Sequence, residues 1–192
     1  MMKKDISRMC VGRAVACRMP RAFVLAVALL VASLLSGCAP PPEGADFLAY
    51  QFPASRAELR GELNGVEIGA LLELAPMPDD GSERDFHLEY TAPDELGGIV
   101  ITRSGGTVVL SYDGLELPGA LFGEFMRPAD AFSLTSGVTS AEAEKTASGQ
   151  TLTHLALEDG SSVTVDSGSG HPVAISVEGL TLRVIWFEPD NR

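Results

Sequence analysis

From residue 55 onward, apolar residues alternate with polar residues, and short turns that end in glycine interrupt the alternation. In "AELRGELNGVEIGALLEL" a turn at Asn64-Gly65 places Leu59 opposite Ala70 and Leu63 opposite Val66. All apolar positions of both segments then fall on one face, which is the register that a two-residue hairpin turn requires. The pattern predicts an antiparallel hairpin with one buried face.

Three more turns satisfy the same test, at Gly105-Gly106, Asp113-Gly114 and Glu178-Gly179. The predicted apolar pairs at these turns are Ile101–Leu110, Ile99–Tyr112, Tyr112–Leu115, Leu110–Leu117, Val177–Leu180, Ile175–Leu182 and Val173–Val184. Alternation predicts further strands at 85–91, 150–157 and 162–166. The sequence therefore predicts a mainly β fold: a curved antiparallel meander of about ten strands, shaped as a half-open barrel, with one or two short helices over its concave face.

One segment, 118–137, is apolar without alternation. Leu121, Phe122, Phe125 and Met126 share a helical face, which predicts a short helix that ends near Pro128. Such a helix either fills the core or forms a movable lid over the concave face. The polar stretch "TSAEAEKTASG" is interpreted as a solvated loop, or as the beginning of a second helix.

The first 37 residues have the pattern of a secretory signal peptide. Six Lys and Arg residues and one acidic residue, Asp5, precede an uncharged run that begins at Ala22. The run from Ala22 to Leu35 is shorter than the roughly 20 residues needed to cross a bilayer. The sequence therefore predicts a cleaved export signal rather than a permanent span.

The segment Leu35-Ser36-Gly37-Cys38 resembles the lipobox of bacterial lipoproteins. The resemblance implies cleavage before Cys38, followed by acylation of its thiol and its new amino group. Residues 1–37 are then the signal peptide, 38–46 a Pro-rich tether, and 47–192 a single domain. The chain would be held in the bacterial cell envelope by its N-terminal acyl groups, on the extracytoplasmic side of the cytoplasmic or the outer membrane. The alternative is an uncleaved anchor in which Cys38 is incidental.

Cysteine usage and charge are consistent with export. Cys10 and Cys17 both lie in the part that would be removed, so lipidation of Cys38 would leave no free thiol. Residues 38–192 contain 8 Lys and Arg residues against 25 Asp and Glu residues, a formal net charge of −17. This acidity argues against nucleic-acid binding and identifies no partner.

No motif for catalysis, for a cofactor or for a metal ion stands out in the sequence. His87, His154 and His171 fall on different predicted elements without ligand spacing, and "DDGSE" at 79–83 lacks the spacing of a calcium-binding EF-hand loop. We therefore predict a protein that is not an enzyme and that holds neither a cofactor nor a metal ion.

The candidate ligand-binding residues are apolar side chains on the inward positions of the predicted strands and helix. They are Phe86, Leu88, Tyr90, Ile101, Leu110, Tyr112, Leu121, Phe122, Phe125 and Trp186. Side chains can fill a small barrel completely or leave room for a ligand. The sequence leaves both interpretations open.

Two stretches resemble the LolA/LolB/LppX-like superfamily of envelope lipoprotein carriers and lipid-binding lipoproteins. They are "DFHLEYTAPDELGGIVITRSGGTVVLSYDG" at 85–114 and "VTVDSGSGHPVAISVEGLTLRVIWFE" at 163–188. The resemblance implies an incompletely closed antiparallel sheet whose concave, apolar face binds acyl chains. It departs from the family at His87, where that family has an arginine, so the resemblance does not extend to a carrier-type release mechanism.

Two functions remain open at this point. The first is an anchored lipoprotein that binds a lipid or an acylated protein in its apolar concave sheet. The second is an anchored interaction or scaffold protein with a filled core, which would meet its partner through acidic positions such as Glu58, Glu62 and Glu67 on the outer face.

Overall fold

The computed structural model of the protein describes residues 46–118 and 122–190. In these ranges one 3-10 helix, Asp46–Gln51, precedes eleven strands and one α-helix. The strands are β1 Ser55–Leu63, β2 Val66–Leu74, β3 Phe86–Ala92, β4 Val100–Ser104, β5 Thr107–Tyr112, β6 Leu115–Pro118, β7 Val138–Lys145, β8 Thr151–Leu157, β9 Ser162–Asp166, β10 Pro172–Val177 and β11 Leu180–Pro189. The helix α1 spans Gly123–Asp130, between β6 and β7.

All eleven strands belong to one curved antiparallel sheet with the order β6-β5-β4-β3-β2-β1-β11-β10-β9-β8-β7. Strands that follow each other in sequence are neighbours, except that β6 and β7 are the two edges and that β1 pairs with β11. The sheet is not closed into a barrel, because its two edge strands do not pair. This arrangement confirms the predicted open meander.

Four of the predicted hairpins have the predicted register. The ladders pair Leu59 with Ala70, Ile101 with Leu110, Leu110 with Leu117 and Ile175 with Leu182. Two ladders are one step shorter than predicted, since β4 pairs with β5 only from Val100 and β10 pairs with β11 only from Ala174.

The turn at Asn64-Gly65 has the backbone that its sequence predicts. Asn64 and Gly65 have φ angles of 49° and 85°, which only a short polar residue and glycine adopt readily. The amide of Asn64 also donates a hydrogen bond to the carbonyl oxygen of Gly179, at 2.7 Å. The tips of the β1–β2 and β10–β11 hairpins are therefore joined.

Irregular pairing bends the sheet at its centre. The register shifts between Glu58 and Leu59 where β1 meets β11, and between Gly69 and Ala70 where β2 meets β3. Gly61 lies so close to β11 that a Cβ atom there would collide with the carbonyl oxygen of Thr181. Bulges and a glycine at a close approach are how a sheet acquires curvature.

The sheet buries one face only. This concave, inner face carries nearly all of the buried apolar residues of the strands, and α1 and the 3-10 helix pack against it. Alternate positions of the same strands carry charged and small polar residues on the outer face. Among the described residues, no helix is long and apolar enough to cross a bilayer.

The interpretation of "TSAEAEKTASG" as a loop or helix was wrong. Residues Val138–Lys145 form the edge strand β7, which pairs with β8 from Val138–Leu157 to Lys145–Thr151. Val138 and Ala141 pack against the core, but the strand has no large apolar residues at alternate positions, so its sequence resembles that of a solvated segment. Its charged residues also discourage pairing with another chain.

The predicted short helix is present and ends near Pro128, as expected. Pro128 lies inside α1, which continues to Asp130. A proline in the last turn removes one helical hydrogen bond, to Glu124, and the next bonds re-form: Ala131 N–H donates to the Arg127 carbonyl oxygen at 2.9 Å.

Candidate functional site

A continuous row of apolar residues crosses the inner face from β6 to β11. The row follows Cα pairing, and its members are Leu117, Leu110, Ile101, Leu88, Leu72, Ala57 and Phe187. Burial falls sharply at one end of it: Ile101 is 0% exposed and Leu110 is 6% exposed, whereas Leu117 is 46% exposed. The apolar face therefore extends past its cover at β6.

The cover over β3 is α1. The rings of Tyr90 and Phe125 meet edge to face with centroids 6.1 Å apart, and Tyr90 Oη donates a 2.8 Å hydrogen bond to the Phe125 carbonyl oxygen. Phe122 packs beside Phe125 at 6.4 Å. Burial raises the pKa of Tyr90, so its phenol stays protonated and remains a donor.

A second aromatic group fills the inner face near β11. Phe132 stacks on Phe187 with centroids 6.5 Å apart, and Tyr50 of the 3-10 helix meets both rings edge to face at 6.2 Å. His171 contacts the Phe187 ring at 5.1 Å. Phe132 is fully buried, so these rings occupy this part of the inner face.

Polar contacts fix both ends of α1. At its C-terminal end Arg103 Nη2 bonds Asp130 Oδ1 at 3.0 Å, and its guanidinium lies 4.8 Å from the Phe86 ring centre. Arg103 Nε is 3.4 Å from Glu83 Oε2, an ion-pair distance without hydrogen-bond geometry. Burial raises the pKa of Asp130, although Arg103 acts in the opposite direction.

At its N-terminal end, Glu124 accepts hydrogen bonds from Asn64 Nδ2 and Arg127 Nη1, both at 3.1 Å. The bond from Arg127, and then that from Asn64, lowers the pKa of the Glu124 carboxyl below its usual range. Because Asn64 belongs to the β1–β2 turn, α1 is tied to the sheet at both ends. This geometry favours a fixed cover over a movable lid.

The charged residue Arg84, between β2 and β3, is buried under this cover. Its guanidinium donates to three main-chain carbonyl oxygens: Ala75 at 2.5 Å, Pro53 at 2.6 Å and Phe132 at 3.4 Å. Burial lowers the pKa of Arg84 to about 10, so it is still charged at neutral pH. Arg84 thus connects β2, the segment after the 3-10 helix, and the segment after α1.

Beyond α1, no described helix covers the inner face. Tyr112, Leu115 and Leu117 of the β5–β6 hairpin continue the face of Leu110, since Tyr112 pairs with Leu115 and Leu110 with Leu117. All three are exposed, which is unusual for adjacent large apolar side chains on one face. We call Tyr112, Leu115 and Leu117 the open apolar end.

The structure brings most of the predicted ligand-binding residues onto one face. Phe86, Leu88, Tyr90, Ile101 and Leu110 are buried under the cover, and Phe122 and Phe125 belong to the cover itself. Tyr112 lies at the open apolar end. Trp186 points away, because its Cα partner is the outer-face residue Glu58. Cys38 and Leu121 lie outside the described residues.

Sequence reasoning missed Phe132 and Phe187. Leu180, Leu182 and Val184 alternate along β11 and face inward. Continued by two more residues, this alternation predicted that Trp186 also faces inward. A bulge at Ile185 shifts the pattern by one residue, so Phe187 faces inward instead. The run of four apolar residues "VIWF" breaks the alternation and was the available signal.

No protein-family model matches the chain, and no curated protein matches it. Solved structures resemble it at low identity. An uncharacterized conserved protein from Thermus thermophilus is 13% identical, with a TM-score of 0.48 over 77% of this chain and 85% of that one. MucB is 13% identical, with a TM-score of 0.47 over 80% of this chain and 60% of MucB.

A LolA superfamily protein from Nitrosomonas europaea is 10% identical, with a TM-score of 0.33 over 80% of this chain and 96% of that one. Each of these TM-scores lies below 0.5, so the similarities establish no family for this chain. Within the described residues, no group of three or more His, Cys, Asp and Glu side chains could hold a metal ion.

Proposed function

We propose that this protein is an envelope lipoprotein, anchored through Cys38, that binds a lipid or the acyl part of an acylated protein. The observation that carries the binding proposal is the open apolar end. The apolar row is buried at Ile101 and exposed at Leu117. An acyl chain that binds at Leu117 would therefore extend the hydrophobic core and remove apolar surface from water.

The ligand binds at the β5–β6 end of the inner face rather than at its centre. Tyr90, Phe125, Phe132 and Phe187 already occupy the centre through direct ring contacts. An acyl chain at the open apolar end would cover Tyr112, Leu115 and Leu117, at a gain of about 0.8 kcal/mol for each buried CH₂ group.

The filled centre favours a second candidate function, an anchored interaction or scaffold protein. In that case the open apolar end would not take up lipid.

Photo-crosslinking tests the first function directly. When the full-length chain is illuminated in membranes that contain a photoactivatable phospholipid, we expect phospholipid adducts on the segment from Thr107 to Pro118, identified by mass spectrometry. Leu117→Glu places a carboxylate on the path of the acyl chain and should reduce these adducts about tenfold or more.

Val66→Glu is the matched control, because Val66 is 50% exposed and Leu117 is 46% exposed, but Val66 lies at the tip of the β1–β2 hairpin, away from β5 and β6. The control should leave the adducts unchanged. Equal adducts in the wild type and in Leu117→Glu would exclude the open apolar end as the binding site and favour the scaffold function.

The anchor has a separate test. We expect radiolabelled palmitate to mark the wild-type protein and not Cys38→Ser, because only the Cys38 thiol and its new amino group would be acylated. Cys17→Ser should be labelled like the wild type, since Cys17 lies in the predicted signal peptide. Labelling of Cys38→Ser would show that the lipobox interpretation is wrong.

A further inference from the structure

The outer face has a groove that the proposed function does not use. It has a volume of about 950 Å³ and runs along β1, β10 and β11 toward the joined hairpin tips. Its polar lining on the outer face consists of Arg60, Glu62, Glu67, Ser176, Thr181 and Arg183.

Two arginines stand directly opposite each other in this groove. Arg60 of β1 and Arg183 of β11 are Cα partners, an arrangement in which like charges repel. Arg60 has one ion-pair contact, to Glu58 at 3.7 Å. In residues 46–118 and 122–190, the guanidinium of Arg183 has neither a hydrogen-bond nor an ion-pair partner. Two of the chain's few cationic residues are therefore neighbours in the sheet, and the Arg60 guanidinium lies over Gly69 of β2, with Nη1 3.2 Å from where a Cβ atom would stand.

A pair of acidic residues lies two positions along β1 from Arg60, nearer the hairpin tips. Glu62 of β1 and Glu67 of β2 are Cα partners and share the outer face with Arg60. Neither carboxylate has an ion-pair partner in the part of the chain that the structure describes. Outer-face positions recur every second residue, so the two pairs are about 7 Å apart along β1.

On the other side of the arginine pair, apolar residues flank Glu58 on the outer face. Leu71 of β2 and Trp186 of β11 are both Cα partners of Glu58, two residues along β1 from Arg60. Ile185, the bulged residue, lines the groove beside Arg183. Leu71, Ile185 and Trp186 are all about half exposed.

We propose that this groove is a second binding site, for a zwitterionic amphiphile with a phosphoethanolamine head group. The ammonium binds Glu62 and Glu67, the phosphate binds Arg60 and Arg183, and the apolar chain lies on Leu71, Ile185 and Trp186. The order ammonium, phosphate, apolar chain in the ligand is the order on the protein of the acidic pair, the basic pair and the apolar residues that flank Glu58. The phosphate would also remove the repulsion between the arginines, whose planar groups are suited to phosphate oxygens.

An anionic membrane surface fits this groove less well. Glu58, Glu62 and Glu67 surround the arginines, and residues 38–192 have a formal net charge of −17, so a uniformly anionic surface would be repelled. A ligand with one positive and one negative group matches both pairs. This site and the open apolar end lie on opposite faces of the sheet, so each can be tested without the other.

Trp186 is the only tryptophan of the chain, so its fluorescence reports on this site alone. We would titrate the full-length protein, held in phosphatidylcholine vesicles, with water-soluble dihexanoyl phosphatidylethanolamine. We expect a saturable blue shift of the emission. Arg60→Gln and Arg183→Gln should each weaken binding about tenfold, and Glu67→Gln should weaken it less.

Arg56→Gln is the matched control, because Arg56 is also on the outer face of β1 but is paired with Glu73 at 3.1 Å. It should bind as the wild type does, and so should Leu117→Glu. Arg183 has no ion-pair partner among the described residues and stands opposite another arginine, so Arg183→Gln should not melt earlier than the wild type.

Three results would overturn the proposal. They are equal binding by the wild type and Arg183→Gln, tighter binding of dihexanoyl phosphatidylglycerol than of the ethanolamine lipid, and a shift that appears only with anionic vesicles. The last two would instead identify a surface that docks on an anionic membrane.

Discussion

Phe132→Ala should lower the free energy of unfolding by about 4 kcal/mol. Phe132 is fully buried between the Tyr50 and Phe187 rings, in the segment that follows α1. Truncation removes its apolar contacts and leaves a cavity that the rigid β-sheet cannot close. Denaturant unfolding, followed by circular dichroism, measures the change.

Phe52→Ala is the matched control, because Phe52, which directly follows the 3-10 helix that carries Tyr50, is 62% exposed. We expect it to change the free energy of unfolding by less than about 0.5 kcal/mol. A cost below about 1 kcal/mol for Phe132→Ala would mean that the centre of the inner face is loosely packed. The ligand could then enter the centre of the sheet, and its assignment to the open apolar end would have to be abandoned.

Arg84→Met should cost about 3 kcal/mol of unfolding free energy. Methionine keeps much of the buried side-chain volume but removes the donors that serve the carbonyl oxygens of Ala75, Pro53 and Phe132. A buried carbonyl group without a hydrogen-bond donor destabilises the folded state. The segments that contain Pro53, Ala75 and Phe132 should therefore become more mobile together. Hydrogen exchange of the 3-10 helix and of residues 131–134 should speed up along with the loss of stability.

Arg56→Met provides the comparison for a solvent-exposed arginine. Arg56 is paired with Glu73 on the surface, and such pairs contribute at most about 1 kcal/mol. Arg84→Lys should fall between the wild type and Arg84→Met, since one ammonium cannot satisfy three divergent carbonyl oxygens. An Arg84→Met protein as stable as the wild type would show that these carbonyl groups find other donors.

The strands and their register could be predicted because they follow from short-range rules. Turns such as Asn64-Gly65 and Asp113-Gly114 fix which residues face each other, and period-two alternation fixes which face is buried. Both rules act within about 20 residues of sequence, so no knowledge of the rest of the fold was required. The open sheet and the inward positions of Leu88, Ile101 and Leu110 were therefore predicted correctly.

The rules failed where the position in the sheet overrides the local pattern. The edge strand β7 packs Val138 and Ala141 against the core, and it lacks the large alternating apolar residues that would have revealed it. In β11 a single bulged residue, Ile185, moved Trp186 to the outer face and brought Phe187 inward. A bulge depends on how β1 and β11 fit together, and these strands are more than a hundred residues apart in the chain.

By itself, the sequence determined a one-sided antiparallel sheet with a short apolar helix, because local turns and alternation specify hydrogen-bonding partners one hairpin at a time. Only the tertiary structure decided how far the helix covers the sheet, that Phe132 and Phe187 fill its centre, and that Tyr112, Leu115 and Leu117 stay exposed. It also decided that Arg60 meets Arg183. These features depend on contacts between segments that are far apart in the chain, and the pattern of residues within one short segment does not determine such contacts.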